Sequence, residues 1–224
     1  MSRAPLNRAD EIALAFENVN ARIAAAALRA RRPASGITLV VVGKTKPAAD
    51  LVAAYEAGAR HFGENRVQEA EVKFPALPTD AVRHLIGPIQ SNKANRAAQI
   101  AHVIQTIDSA DLAVRLSRAA SRDGKRLDVF VEVNVGGEAG KAGISPADLA
   151  ALVAMIKEKP ELRLRGLMGI PPPGDTRPHF AALRGLAERE ALNELSMGMS
   201  DDFEIAIEEG ATLVRVGSAI FGSR

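Results

Sequence analysis

The chain has no cysteine among its 224 residues, which removes disulfides, cysteine-ligated zinc and thiol nucleophiles together. Aromatic residues make up only 4%, and Tyr55 is the single tyrosine, so few rings are available to stack on nucleic-acid bases. Excess charge of one sign is also lacking. The formal net charge of +2 is too weak a bias to point to a nucleic-acid partner. No apolar run approaches the ~20 residues of a membrane span, and the first residues lack the charged-then-apolar layout of a signal peptide. What remains is 47% hydrophobic, enough for a sizeable core. These exclusions lead us to expect a cytoplasmic enzyme or binding protein.

One stretch organises the rest: Ile37-Thr-Leu-Val-Val-Val-Gly-Lys44-Thr-Lys46-Pro47. The run 37–42 is apolar or β-branched without polar alternation, the pattern of a strand covered on both faces. It breaks at Gly43, and Pro47 suits the first turn of a helix over Ala48–Ala57. Lys44 therefore stands where a buried strand hands over to a loop. Poor solvation there lowers a lysine's pKa and turns the amine into a nucleophile for carbonyls, so a Schiff base is the expected chemistry. By position alone, a lysine snorkelling from a strand end reads at least as well. Lys46, beside Pro47, is expected to lie further from the strand.

The remaining chain alternates. A long helix is expected over Asn7–Arg31, with Ile12, Phe16, Val19, Ile23 and Leu28 on its apolar face. Strands are expected at 37–42, 60–62, 82–86, 103–107, 127–134, 162–170, 194–197 and 212–216, with helices between them. Ser91 or Asn92 is expected to cap the helix after the third strand, and Ser145-Pro146 to open the one after the fifth. Eight strands alternating with helices predict an α/β fold, a single (β/α)8 TIM-type barrel over residues 1–224 with 1–35 as an extra N-terminal helical extension. An open doubly wound sheet is the alternative, but Gly-x-Gly-x-x-Gly is missing after the first strand.

In such a barrel the loops at the strand C-terminal ends carry the function. The last two, Gly198-Met-Ser200 and Gly217-Ser218, offer small residues, hydroxyls and backbone N–H groups suited to a phosphate. They read equally as ordinary turns, and Asp201 and Asp202 would oppose an anion unless they point away. Arg215, inside the eighth strand, either faces the mouth and requires an acceptor, such as an aromatic nitrogen or a carboxylate, or points outward to solvent. Asn65, His84, Gln90, Asn134 and Met168 lie at or near strand ends and could line the site or merely cap and fill. His84 alone on an apolar strand is more often a satisfied core histidine. Glu64 with His61, and Glu132 with Glu138, lack metal-ligand spacing, so no metal site is expected.

Six motifs then coincide in order: Val42-Gly43-Lys44-Thr-Lys-Pro47, Phe62-Gly-Glu-Asn65, His84-Leu-Ile-Gly-Pro-Ile-Gln-Ser-Asn-Lys93, Gly166-Leu-Met-Gly-Ile170, Met197-Gly-Met-Ser-Asp-Asp202 and Val214-Arg-Val-Gly-Ser-Ala-Ile-Phe-Gly222. Together they resemble the pyridoxal-phosphate homeostasis proteins, barrels similar to the N-terminal domain of alanine racemase. The resemblance implies pyridoxal 5′-phosphate (PLP) as cofactor, held as an internal aldimine by Lys44. It also implies phosphate contacts from Ser200, Gly217 and Ser218, with Arg215 facing the pyridine nitrogen. Asn65, His84 and Met168 are carried over as further cofactor-binding positions, and Lys141 as a possible second PLP lysine. Gly43 and Arg66 depart from the family pattern, which usually has serine and tyrosine there.

A cofactor-bound lysine does not make an enzyme. Racemisation wants an acid–base group on each face of the cofactor. Tyr55 sits within a helix, there is no cysteine to substitute, and no second domain is expected after the eighth strand to complete a racemase site. An arginine at the ring nitrogen weakens the electron sink. The expectation is PLP binding, carriage and homeostasis with little or no catalysis, by a monomer, with PLP-dependent apo-enzymes as recipients and no nucleic-acid or membrane partner. A weak amino-acid racemase and a cofactor-free Schiff-base aldolase are the alternatives.

Overall fold

The structure is a computed structural model and describes residues 6–222. Residues 1–5 of the expected extension, and 223–224, lie outside the described residues. Helix α1 (Arg8–Arg29) precedes eight β-then-α steps: β1 (Thr38–Val42), α2 (Ala48–Glu56), β2 (His61–Glu64), α3 (Val67–Lys73), β3 (Val82–Leu85), α4 (Ala94–Ile100), β4 (Val103–Ile107), α5 (Ala110–Arg122), β5 (Leu127–Val133), α6 (Leu149–Lys157), β6 (Leu162–Gly169), α7 (Arg177–Arg189), β7 (Glu194–Ser196), α8 (Phe203–Glu208), β8 (Leu213–Val216) and the single-turn α9 (Ser218–Phe221). The strands close in sequence order into one all-parallel barrel. β8 returns to β1 with Thr38 opposite Leu213 and Val41 opposite Val216. The fold is a TIM-type barrel, as expected.

The alternation of each strand explains the layering. Leu127, Val129, Val131 and Val133 of β5 join the large apolar shell between strands and helices. Phe130, between them, belongs to a separate small cluster with Val40, Val103, Met168 and Leu213 that fills the barrel interior. Strands buried on both faces carry few polar side chains, which is why their limits were readable to within a residue or two.

α1 is held by Asn7, whose side chain accepts the Asp10 N–H. It turns Ile12, Val19, Ile23, Ala26 and Ala27 inward and lies against α2, α8 and α9. Leu28, expected on the inner face, is exposed instead, because Ala26 and Ala27 occupy that face where the helix approaches its neighbours. Ser91 and Asn92 do not cap α4. Residues Ser91–Lys93 form a separate 3-10 turn, and the Ser91 hydroxyl donates to Asp111 on α5. Ser145 likewise binds Asp148 rather than opening the helix directly, and α6 begins at Leu149. No described helix is long and apolar enough to cross a membrane.

Candidate functional site

A cavity of about 300 Å³ opens at the C-terminal ends of the strands, at the small end of the usual range for cofactor pockets. Its walls combine Lys44 and Lys46 after β1, Asn65 after β2, Ser200 and Asp201 after β7, and Arg215, Gly217 and Ser218 at the end of β8. Six of the expected positions (Lys44, Asn65, Ser200, Arg215, Gly217 and Ser218) are thus brought together. His84 and Met168 are not part of the lining. Met168 is fully buried in the interior cluster, and Ile170, two residues on, lines the cavity in its stead. Lys141 also lies outside the lining and pairs with Glu138. Gln90 is exposed, and Asn134 donates to the Glu138 carbonyl.

Lys44 is solvent-exposed, so the poor solvation expected for it is not met. Among the described residues its amine has no hydrogen-bonded or ionic partner. What constrains it lies in the turn that carries it. Thr45 adopts φ +65°, a left-handed conformation that costs a non-glycine residue about 1 kcal/mol. Its N–H donates to Glu69 Oε2 at 3.0 Å. At Gly43 a Cβ would lie 2.7 Å from Glu64 Oε1 and from Leu51 Cδ1, so a side chain there needs both of those side chains to shift. Lys46 also reaches the cavity, with Nζ donating to the Phe221 carbonyl at 3.2 Å. Arg66 is exposed at the entry to α3 and does not line the cavity.

The two expected phosphate loops meet at Ser200. Its Oγ accepts the N–H groups of Gly217 (3.3 Å) and Ala219 (3.4 Å). These distances are long for such bonds, and an anion would compete for the same donors. Gly198 makes the first loop possible, with φ +90° and only 2.5 Å from its would-be Cβ to the Ala206 Cβ. Asp202 turns away from the cavity to accept the Met199 N–H at 2.6 Å, which resolves half of the acidic conflict. Asp201 remains on the wall.

Arg215 faces inward and is 4% exposed. It donates to Ser196 Oγ at 2.7 Å and to the Gly169 carbonyl at 3.1 Å. Burial lowers its pKa to about 10, partly offset by the charges of Glu132 and Asp202, so it stays a cation at neutral pH. The hydrogen bonds continue across the barrel. Ser196 donates to Gln105 Oε1 (2.6 Å), the Gln105 amide meets His84 Nδ1 (3.0 Å), and His84 Nε2 meets His61 Nδ1 (2.9 Å). A guanidinium can only donate, so it fixes the direction of the whole chain. Gln105 donates to Nδ1, leaving His84 with its proton on Nε2 for His61. Burial holds His84 well below the usual imidazole range, in agreement with a neutral ring. His84 is therefore a satisfied interior histidine three hydrogen bonds from Arg215.

Glu132, beside these hydrogen bonds, is not among the expected site residues. It is 6% exposed, its Oε2 has no hydrogen-bond partner, and burial pushes its pKa up to about 7. Among the described residues no group of three metal-ligating side chains occurs.

Closed barrel, lysine at the end of β1, hydroxyl and glycine loops after β7 and β8, and an inward arginine define a class, the barrel with a cofactor-sized mouth. The family model described as "Alanine racemase, N-terminal domain" matches residues 18–224. The pyridoxal phosphate homeostasis protein of Pseudomonas aeruginosa is 46% identical over 222 residues, spanning 95% of this chain and 96% of that protein. Among solved structures, an unknown protein from Bifidobacterium adolescentis superimposes with TM-score 0.89 at 35% identity, covering 98% of both chains. PipY of Synechococcus elongatus PCC7942, solved with PLP bound, gives TM-score 0.80 at 40% identity, covering 91% of this chain and 100% of that one. The chain belongs to the pyridoxal phosphate homeostasis proteins, within the alanine racemase N-terminal domain family.

Proposed function

We propose that this chain binds PLP through Lys44 and holds it for other proteins, with little or no turnover of amino acids. The observation that carries this is the single cavity that gathers Lys44, Ser200, Gly217, Ser218 and Arg215. The binding of PLP by PipY and the names of the relatives support it. The residues suit the group: an exposed primary amine for the aldehyde, clustered N–H and hydroxyl donors for the phosphate, and a fixed cation for the ring nitrogen. Lys44 Nζ would hold the cofactor through its aldehyde, with Ser200, Gly217 and Ser218 on the phosphate side, and the bound group would supply its carbonyl chemistry there. Asn65 contributes to the wall, while His84 and Met168 act from beneath, as support for Arg215 and as filling. Lys141 is the second acceptor only if it leaves Glu138.

PLP supplies an electron sink that is strongest when its ring nitrogen is protonated. Arg215 can only donate, so a nitrogen facing it has to accept. Tyr55 donates to Asp80, and neither residue lines the cavity. The protein acts as a monomer in the cytoplasm, and PLP-dependent apo-enzymes are its recipients. Borohydride reduction of the PLP-loaded protein, followed by peptide mapping, should fix the pyridoxyl group on Lys44. Label found wholly on Lys46 or Lys141 would refute the assignment. A weak racemase is the second reading, favoured by the exposed Lys44 amine at the cavity, whereas Glu132, a buried carboxyl raised to about 7, lies outside the lining. Exchange of the α-proton of L-alanine with solvent deuterium, accompanied by inversion, would establish it over the carrier.

A further inference from the structure

The turn that presents Lys44 is gripped from behind by another lysine. Lys73, at the last position of α3, is 10% exposed along its side chain. Its ammonium has three N–H groups, and all three are used: Gly43 carbonyl at 2.8 Å, Glu64 Oε1 at 3.0 Å and Glu69 Oε2 at 2.8 Å. The same Glu69 oxygen accepts the N–H of Thr45. The peptide groups on either side of Lys44 therefore converge on one buried cation. The Lys46 N–H also donates to the Gly43 carbonyl, at 2.9 Å, which fixes that oxygen from both sides.

We infer that Lys73 is a positioning residue for Lys44, holding the Gly43–Thr45 turn through the Gly43 carbonyl and, by way of Glu69, through the Thr45 N–H. The inference rests on the reading of Lys44 as the PLP amine and goes beyond it in naming what aims that amine. Two features separate this role from plain stabilisation. First, an ion pair made only for stability would not need the Gly43 carbonyl. Second, Thr45 is held in a left-handed conformation that relaxes unless something restrains it. Lys44 has no side-chain partner of its own among the described residues, so its backbone is the only evident means of aiming it. Glu64 completes the cluster from β2, fully buried beneath Gly43, with Oε2 unpartnered.

Removing Lys73 alone would leave buried carboxylates without their cation and risks unfolding the protein. The test therefore uses Lys73→Met together with Glu64→Gln, and separately Glu69→Ala, whose side chain is partly exposed. Each purified protein is mixed with PLP, and three quantities are followed: the rate of appearance of the visible band, the pH midpoint of that band, and the melting temperature. A misaimed amine should slow formation of the Lys44 adduct by about 10- to 100-fold in the double variant, and shift the pH midpoint of the band. Glu69→Ala should slow it less, and Lys73→Arg should restore part of the rate. A double variant that melts lower yet keeps the wild-type rate and midpoint would show that Lys73 is only structural, and would overturn the inference. Failure of wild type to label Lys44 would instead overturn the underlying reading, and this inference with it.

Discussion

Glu132 shows how a single residue can carry a pH signature. Its carboxyl is raised from 4.5 to about 7 by burial, with Asp108 adding to the rise and Arg215 and Lys141 opposing it. In the unfolded chain it ionises near the ordinary value, so between these pH values only the native state keeps the proton. Its contribution to stability is therefore present at low pH and is lost as pH rises through about 7. Lowered histidines (His61, His84 and His102) act in the opposite sense over the same interval, so the wild-type curve alone is ambiguous. Comparison with Glu132→Gln cancels them. The variant's stability relative to wild type should climb by on the order of 3 kcal/mol between pH 4.5 and about 7 and then level off. Urea titrations at pH 5, 6, 7 and 8 provide the measurement; a pH-independent difference would contradict it. Residues of this kind were poorly legible in the sequence. Lys44, Ser200 and Arg215 could be suspected because strand-end position is visible in one dimension. Lys73 lies four residues after Glu69 and reads as a surface ion pair of the commonest sort; nothing local shows that its Nζ turns inward to Gly43. The chain from Arg215 to His61 draws one residue from each of five strands, and no spacing rule links them.

At the scale of elements the sequence was far more informative. The apolar, β-branched run of β1 and the helical spacing of α1 are local properties, and the structure reproduces them to within a residue or two. Errors came where a hydroxyl chose a partner distant in sequence or a helix turned by a fraction of a turn. Ser91 selects Asp111 on α5 over a cap, and Leu28 faces solvent. The short α9 was unforeseen, since four residues carry too little periodicity to read. α1 is more than an appendage. Arg22 reaches Glu204 and Arg29 reaches Glu208, both on α8, while Arg8 pairs with Asp50 on α2. α1 thus closes the outer ring of helices between α8 and α2. The largely exposed Arg22 and Arg29 pairs contribute little, and the apolar face carries most of the attachment. Ile12 is fully buried, so Ile12→Ala should lower unfolding free energy by about 2–5 kcal/mol. A change below about 0.5 kcal/mol in urea denaturation would show α1 to be loosely docked.

For the molecule as a whole, the closed ring has a consequence for motion. A sheet with no free edge cannot fray from one side; it can breathe only by parting a seam between two strands. The seams are unequal. β5 and β6 share seven register pairs, from Leu127–Leu162 to Val133–Gly169, whereas β7 and β8 share a single one, Ser196–Leu213, flanked by a few backbone hydrogen bonds. That narrowest seam is also the one whose two sides end in Ser200 and in Gly217–Ser218. The amides of Met197 and Thr212, which donate across it to Leu213 and Leu195, should exchange with deuterium faster than those of Val129 and Val131. Saturating PLP should slow them, and equal protection of both sets without ligand would count against this. A phosphate spanning the two loops would stitch the seam, so holding the cofactor and keeping the barrel shut draw on one free energy. A binding protein built this way would loosen its grip whenever the wall itself relaxes.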